Sequence, residues 1–170
     1  MMWSKIKKNV ESKFTDKLKG RIQIYITSYG NDYDTKDLYN RGWITIDGNE
    51  VVNFSTPDAF FLNRNDYHYT TPTDCARAKE KAYERTPDNL IEKGEFSKFD
   101  LSNCCYAFLD MNIDEAISHE SPIIQLLATL DKRLGKRRLI KLSEQELHPL
   151  TNFFLNVRLE AEQIKTATSS

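Results

Sequence analysis

The stretch GWITIDGNEVVNF constrains the fold more than any other part of the chain. Asp47-Gly48-Asn49 is a strong tight-turn signal, and it lies between two short apolar-rich runs that read as strands. Upstream, in RIQIYITSY, Ile22, Ile24 and Ile26 alternate with Gln23, Tyr25 and Thr27. A period of two marks a half-buried strand. A polar loop, GNDYDTKDLYN, separates this strand from the hairpin. The three strands together predict a small antiparallel sheet, with a crossover as the alternative if the strand order differs.

The flanking segments carry helical periodicity instead. Trp3, Ile6, Val10, Phe14 and Leu18 recur at spacings of three and four, which predicts one amphipathic helix backing the sheet and ending at Gly20. From about residue 72 the character is helical throughout. TDCARAKEKAYERT opens on a cap-like Thr73 or Asp74, Pro87 interrupts it, and DNLIEK reads as a short helix closed by Gly94. FDLSNCCYAFLDM begins at a cap-like Asp100. Asn112 with Glu115 resembles a capping box, and Ser121-Pro122 is a cap with a first-turn proline. Ile123, Leu126, Leu127, Leu130 and Leu134 form a core stripe that Gly135 ends. Ser143 and Glu146 again look like a capping box. The last helix should start near Pro149 and bury Leu150, Phe153, Phe154, Val157, Ala161 and Ile164.

The expected fold class is therefore α+β: an N-terminal helix and a small antiparallel sheet of about three strands, followed by a C-terminal helical bundle. At 170 residues, residues 1–165 read as a single domain sharing one core, and residues 166–170 as a frayed tail. Hydrophobic content of 39% with 29% charged residues fits a soluble globular chain. No apolar run approaches the roughly 18 residues of a membrane span. The N-terminus lacks the apolar region of a secretory signal. Three cysteines, Cys75, Cys104 and Cys105, make a poor disulfide framework, so a reducing cytoplasm is the simplest setting.

Charge is spread unevenly. Residues 1–21 carry a net +5, residues 131–141 another +5, and the remainder −11 within a chain of net charge −1. Either the basic segments fold back on the acidic body, or they sit together as a positive face. The second segment holds Lys132, Arg133, Lys136, Arg137, Arg138 and Lys141 around Gly135. The macrodipole favours Lys132 and Arg133 near a helix C-terminus. Lys136 to Arg138, beyond the glycine, are less well explained that way, and guanidinium groups there suit a partner's carboxylates or phosphate. A chain pI near 6.3 argues against a dedicated nucleic-acid binder.

Tyrosines concentrate between residues 25 and 69: Tyr25, Tyr29, Tyr33, Tyr39, Tyr67 and Tyr69. Tyr25 and Tyr29 share the strand face opposite the isoleucines. They form a second core layer if helices cover that face, or an aromatic contact platform if they do not. His68, His119 and His148 are scattered, with no metal-ligand spacing. Asp66, His68 and Asp74 could assemble an acid–base site on the loop before the helix, although neutral surface roles suit them better. His148, just before Pro149, suits a helix start. Neither a phosphate loop nor a nucleophile elbow is present. No metal or cofactor is implied.

Several segments together carry a resemblance: WSKIKK with LKGR, GWITIDGNEV, IEKGEFSKFD, SPIIQLLATLDKRLGKRRL and HPL. Over residues 3 to about 162 the chain resembles an uncharacterised bacterial cytoplasmic protein family that carries only a placeholder locus name. The resemblance implies a bacterial, soluble, intracellular protein, and no activity, cofactor or catalytic residue.

Three functions are consistent with these features. The leading one is a non-enzymatic protein-binding module, in one form immunity- or inhibitor-like, contacting its partner through Arg133, Lys136, Arg137, Arg138, Lys141, Tyr25 and Tyr39. The second is a nucleic-acid-associated protein using the basic segments 5–21 and 132–141. The third, least favoured, is a small hydrolase or transferase with an acid–base site near His68.

Overall fold

The structure, a computed structural model, describes residues 2–28, 40–55, 90–92 and 95–166. In chain order its elements are α1 (Trp3–Ser12), β1 (Ile22–Ser28), β2 (Asn40–Ile46), β3 (Asn49–Ser55), α2 (Lys98–Phe108), α3 (Ile113–Ile117), α4 (Pro122–Leu130), α5 (Lys136–Ser143) and α6 (Pro149–Ala161). This is a mixed α+β chain: an N-terminal helix, a three-stranded antiparallel sheet and then several helices. The chain divides into two compact units, Gln23–Asn103 on the one hand and Met1–Ile22 with Cys104–Ser170 on the other. The helix expected at TDCARAKEKAYERT lies outside the described residues, as does most of the tail.

In the sheet unit the strand order is β1-β2-β3, without a crossover. Ile46 pairs with Asn49, so the hairpin loop is Asp47-Gly48 alone and Asn49 already belongs to β3. Both loop residues have positive φ, 51° and 84°. A type I′ turn demands this, and it matches the twist of the two strands. Gly42, Ile44, Val52 and Phe54 lie on one face through the pairs Gly42↔Phe54 and Ile44↔Val52. Leu101 of α2 covers that face so closely that a Cβ at Gly42 would stand 2.6 Å from its Cδ2. Glycine is thus required at position 42 for close approach and not for backbone conformation.

The helices depart from the sequence reading at four places. First, α1 stops at Ser12 instead of reaching Gly20. Phe14 and Leu18 are still fully buried, so the apolar stripe served the core without staying helical. At Phe14 the backbone leaves the helix to bridge Asp131, with Thr15 N donating to Leu130 O and Lys132 N to Lys13 O, both at 2.9 Å. Tertiary hydrogen bonds replace the helical ones. Second, α2 is capped by Ser97, with Asp100 as its reciprocal partner three residues on: Ser97 N donates to Asp100 Oδ2 at 2.7 Å. Leu90 and Ile91, in the expected DNLIEK helix, form a bend. Third, Ser143 and Glu146 form no capping box, because Ser143 ends α5 and its hydroxyl donates to Ile140 O.

Fourth, α6 buries Leu150, Thr151, Phe154, Leu155, Arg158 and Leu159. Of the face expected, Phe153, Val157 and Ala161 are only half-buried. The buried face includes a charged residue, which an apolar stripe passes over. Other expectations hold. Asn112 accepts from Glu115 N at 2.8 Å, and Pro122 and Pro149 open their helices. His148 Nδ1 caps α6 by accepting from Leu150 N. α4 and α6 pack together, tied by Thr151 Oγ1 donating to Pro122 O, and Leu134, Leu139, Leu142, Leu155, Leu159 and Ile164 form a second apolar cluster.

Gly42→Ala should lower stability by about 1–3 kcal/mol through overpacking. The loss, read from urea unfolding, should shrink in a Leu101→Ala background, because that change removes the atom in the way.

Candidate binding surface

The bridge at Phe14↔Asp131 joins the two basic segments within one unit. Their cations then divide into an inward and an outward set. Lys13 Nζ donates to Leu109 O at 2.8 Å and lies 5.5 Å from the centre of the Phe108 ring. Burial, with the Arg133 charge nearby, lowers its pKa from the ordinary lysine value. Arg133 clasps the fully buried Asp131 carboxylate through Nε at 3.0–3.1 Å and Nη2 at 2.7 Å, and its Nη1 reaches Met111 O at 3.2 Å. That bond to Asp131 raises the pKa of Arg133. Both cations therefore bind carbonyls of the segment just after α2, near the negative end of that helix.

Arg158 completes this construction, and nothing in the apolar periodicity marks it. It is 3% exposed. Its Nη1 donates to Thr129 O and Asp131 O at 3.0 Å each, its Nη2 to Leu134 O at 3.1 Å, and its Nε to Glu162 Oε1 at 2.6 Å. Thr15 Oγ1 donates to the same Glu162 oxygen at 2.8 Å. The three carbonyls belong to the end of α4 and the link to α5. One buried guanidinium thus sets where α5 begins and which way it runs. The sequence signal available was an arginine on α6 one turn before a glutamate, a common i, i+4 pattern.

α5 presents the outward set. Gly135, read from the sequence as a helix stop, is instead the N-cap of α5. The cluster therefore divides: Lys132 and Arg133 follow the C-terminus of α4, which ends at Leu130, whereas Lys136, Arg137 and Arg138 fill the first turn of the next helix. Cations there oppose the macrodipole, an effect of roughly 0.3–1 kcal/mol for an exposed charge. Arg138 meets Asp114 at 2.8 Å, an exposed pair. Lys132, Lys136, Arg137 and Lys141 are exposed and form no ion pair among the described residues. Arg137 and Lys141, four apart, repel one another. At the other end, Glu144 is the C-cap and is exposed, as is Glu146. The basic first turn and the acidic C-cap oppose the usual polarity of a helix, while Lys141 in the last turn follows it.

A family model matches residues 2–159. The chain belongs to the SF0329 protein family. No curated protein and no solved structure matches it significantly. Membership agrees with the resemblance read from the sequence and adds no assigned activity.

In this SF0329 family member the other predicted residues are placed as follows. Tyr25 is half-buried and stacks on Trp43, ring centres 5.1 Å apart and planes 13° off parallel. The Arg41 guanidinium lies 3.9 Å from the Trp43 ring and pairs with Glu50 at 2.7 Å. The aromatic feature is thus a Tyr–Trp–Arg stack across β1 and β2, and Trp43 is the member that the tyrosine count overlooked. Tyr29, Tyr33, Tyr39, Tyr67 and Tyr69 lie outside the described residues, as do Asp66, His68, Asp74 and Cys75. His119 accepts from Ser121 N through Nδ1. Cys104 Sγ contacts Ser121 Oγ at 3.3 Å, and the Cys105 thiol is buried, with its pKa pushed up by desolvation. Among the described residues no group of three His, Cys, Asp or Glu side chains could hold a metal, and no helix is long and apolar enough to cross a membrane.

Inner and outer arginines should respond differently to mutation. Arg158→Leu removes a donor from Glu162 and from three carbonyls and should cost about 3–5 kcal/mol in urea unfolding. Arg137→Leu should stay within about 0.5 kcal/mol. Thr45 is 5% exposed and its hydroxyl has no hydrogen-bond partner among the described residues, so Thr45→Val should leave the melting temperature equal or higher.

Proposed function

We propose that this chain is a non-enzymatic protein-binding module whose contact surface is the outward face of α5. The observation that carries this reading is the basic first turn of that helix, which opposes the macrodipole. Lys136 and Arg137 stand at the end where cations are least favoured, and neither forms an ion pair among the described residues. Local violations of a folding rule concentrate where function sets the sequence. A partner's carboxylates would relieve the conflict. Carboxylates of the chain itself bound the basic patch: Asp114 on one side, Glu144 and Glu146 at its end. A compact acidic group suits such a patch better than an extended polyanion, which would meet those carboxylates. A bacterial cytoplasmic setting, with Cys104 and Cys105 as thiols outside any disulfide, goes with this reading. An immunity- or inhibitor-like role is one form of it, by analogy with other small α+β proteins.

The joining of the two basic segments favours nucleic-acid association as a second reading. One experiment separates them. Tagged protein is recovered from its host lysate at low and high salt, beside a Lys136→Glu/Arg137→Glu variant. A specific protein should co-elute with the wild type and fall at least about tenfold with the variant, as for desolvated charge pairs. A complex indifferent to the charge reversal removes the α5 surface. Nuclease-sensitive material lost steeply with salt supports the second reading.

A further inference from the structure

The outward face of α5 is complementary to itself. Lys136, Arg137, Ile140, Lys141 and Glu144 fall at spacings of one, four, five and eight from the first residue, so they share one helix face. Its N-terminal half is basic, its C-terminal end is acidic, and Ile140, only partly buried against the apolar cluster, lies between them. Inverting such a face end for end about Ile140 sets the basic first turn against the acidic end, with Lys136 opposite Glu144.

We propose that the occupant of this surface is a second copy of the chain, with the two α5 helices packed antiparallel about a two-fold axis near Ile140. The inference rests on the reading of α5 as a contact surface and names what covers it. An axis at residue 140 sets Lys136 and Arg137 of one copy against Glu144 and its neighbours in the other, twice over, and sets Ile140 against Ile140. This is the isologous arrangement of a two-fold dimer. It also accounts for the basic first turn. In an antiparallel pair each basic first turn lies beside the negative C-terminal end of the other helix, so charges that are misplaced in the monomer become well placed in the dimer. The eight-residue helix is only about 12 Å long, so the area is small and association is weak and salt-sensitive. The approach of Lys141 to its own copy across the axis adds to that weakness.

Sedimentation of the full chain over a concentration series tests this at low and at high salt. The wild type should self-associate reversibly at low salt and lose this as salt rises. Lys136→Glu/Arg137→Glu and Glu144→Lys/Glu146→Lys, all at exposed positions, should each weaken association by at least about tenfold when alone, because like charges then face each other. An equimolar mixture of the two variants should recover association to within about threefold of the wild type, since opposite charges face again at both contacts. A wild type that stays monomeric at every concentration overturns the proposal, and so does a mixture that fails to recover. If the lysate complex still depends on Lys136 and Arg137 while the chain stays monomeric, the contact surface stands and only the second copy is excluded as its occupant.

Discussion

The Arg158 guanidinium, buried at 3% exposure, donates to carbonyls from Thr129, Asp131 and Leu134 and to the Glu162 carboxylate. A buried charge is tolerable only when its hydrogen bonds are satisfied, and here the backbone supplies most of them. The link between α4 and α5 takes the path that lets three carbonyls converge on one planar fork. Thr15 brings the N-terminal segment to the same point through Glu162. The start of α5, the bridge to Phe14 and the position of Asp131 all follow from this arrangement.

Around it the basic residues separate by what they touch. Lys13 and Arg133 reach back to carbonyls just after α2 and to the ring of Phe108. Lys136, Arg137 and Lys141 turn outward on a helix whose apolar side, Leu139 and Leu142, is buried. A run that looks uniform in sequence thus contains structural and surface charges side by side. The difference lies in whether a carboxylate or carbonyl is within reach. Asp131 captures Arg133 two residues away, whereas no described acidic group captures Lys136 or Arg137.

Local signals were read well. The Asp47-Gly48 turn needs two residues of positive φ, and few residue pairs other than this one supply them easily. The cap at Asn112 and the prolines opening α4 and α6 act within one helical turn and are legible from spacing, whereas the same spacing at Ser143 and Glu146 marks no cap. Non-local choices were less visible. The stripe from Trp3 to Leu18 correctly marks buried side chains but not where α1 ends, because residues over a hundred positions away compete for the same backbone groups. Gly135 looked like a stop, yet it caps the start of a new helix, since the chain is already turned at Asp131. Arg158 was invisible because its partners are backbone carbonyls, which every sequence possesses.

The sequence alone determined the α+β class, the hairpin around Asp47-Gly48, much of the apolar core and the concentration of positive charge in two segments. These depend on side-chain periodicity and on short-range stereochemistry, both written in consecutive residues. Tertiary structure alone decided that the two basic segments meet, which of their cations face solvent, and that Lys136 to Arg138 begin a helix instead of following one. Those outcomes depend on hydrogen bonds between distant backbone groups and on the burial of Arg158, and chain spacing encodes neither.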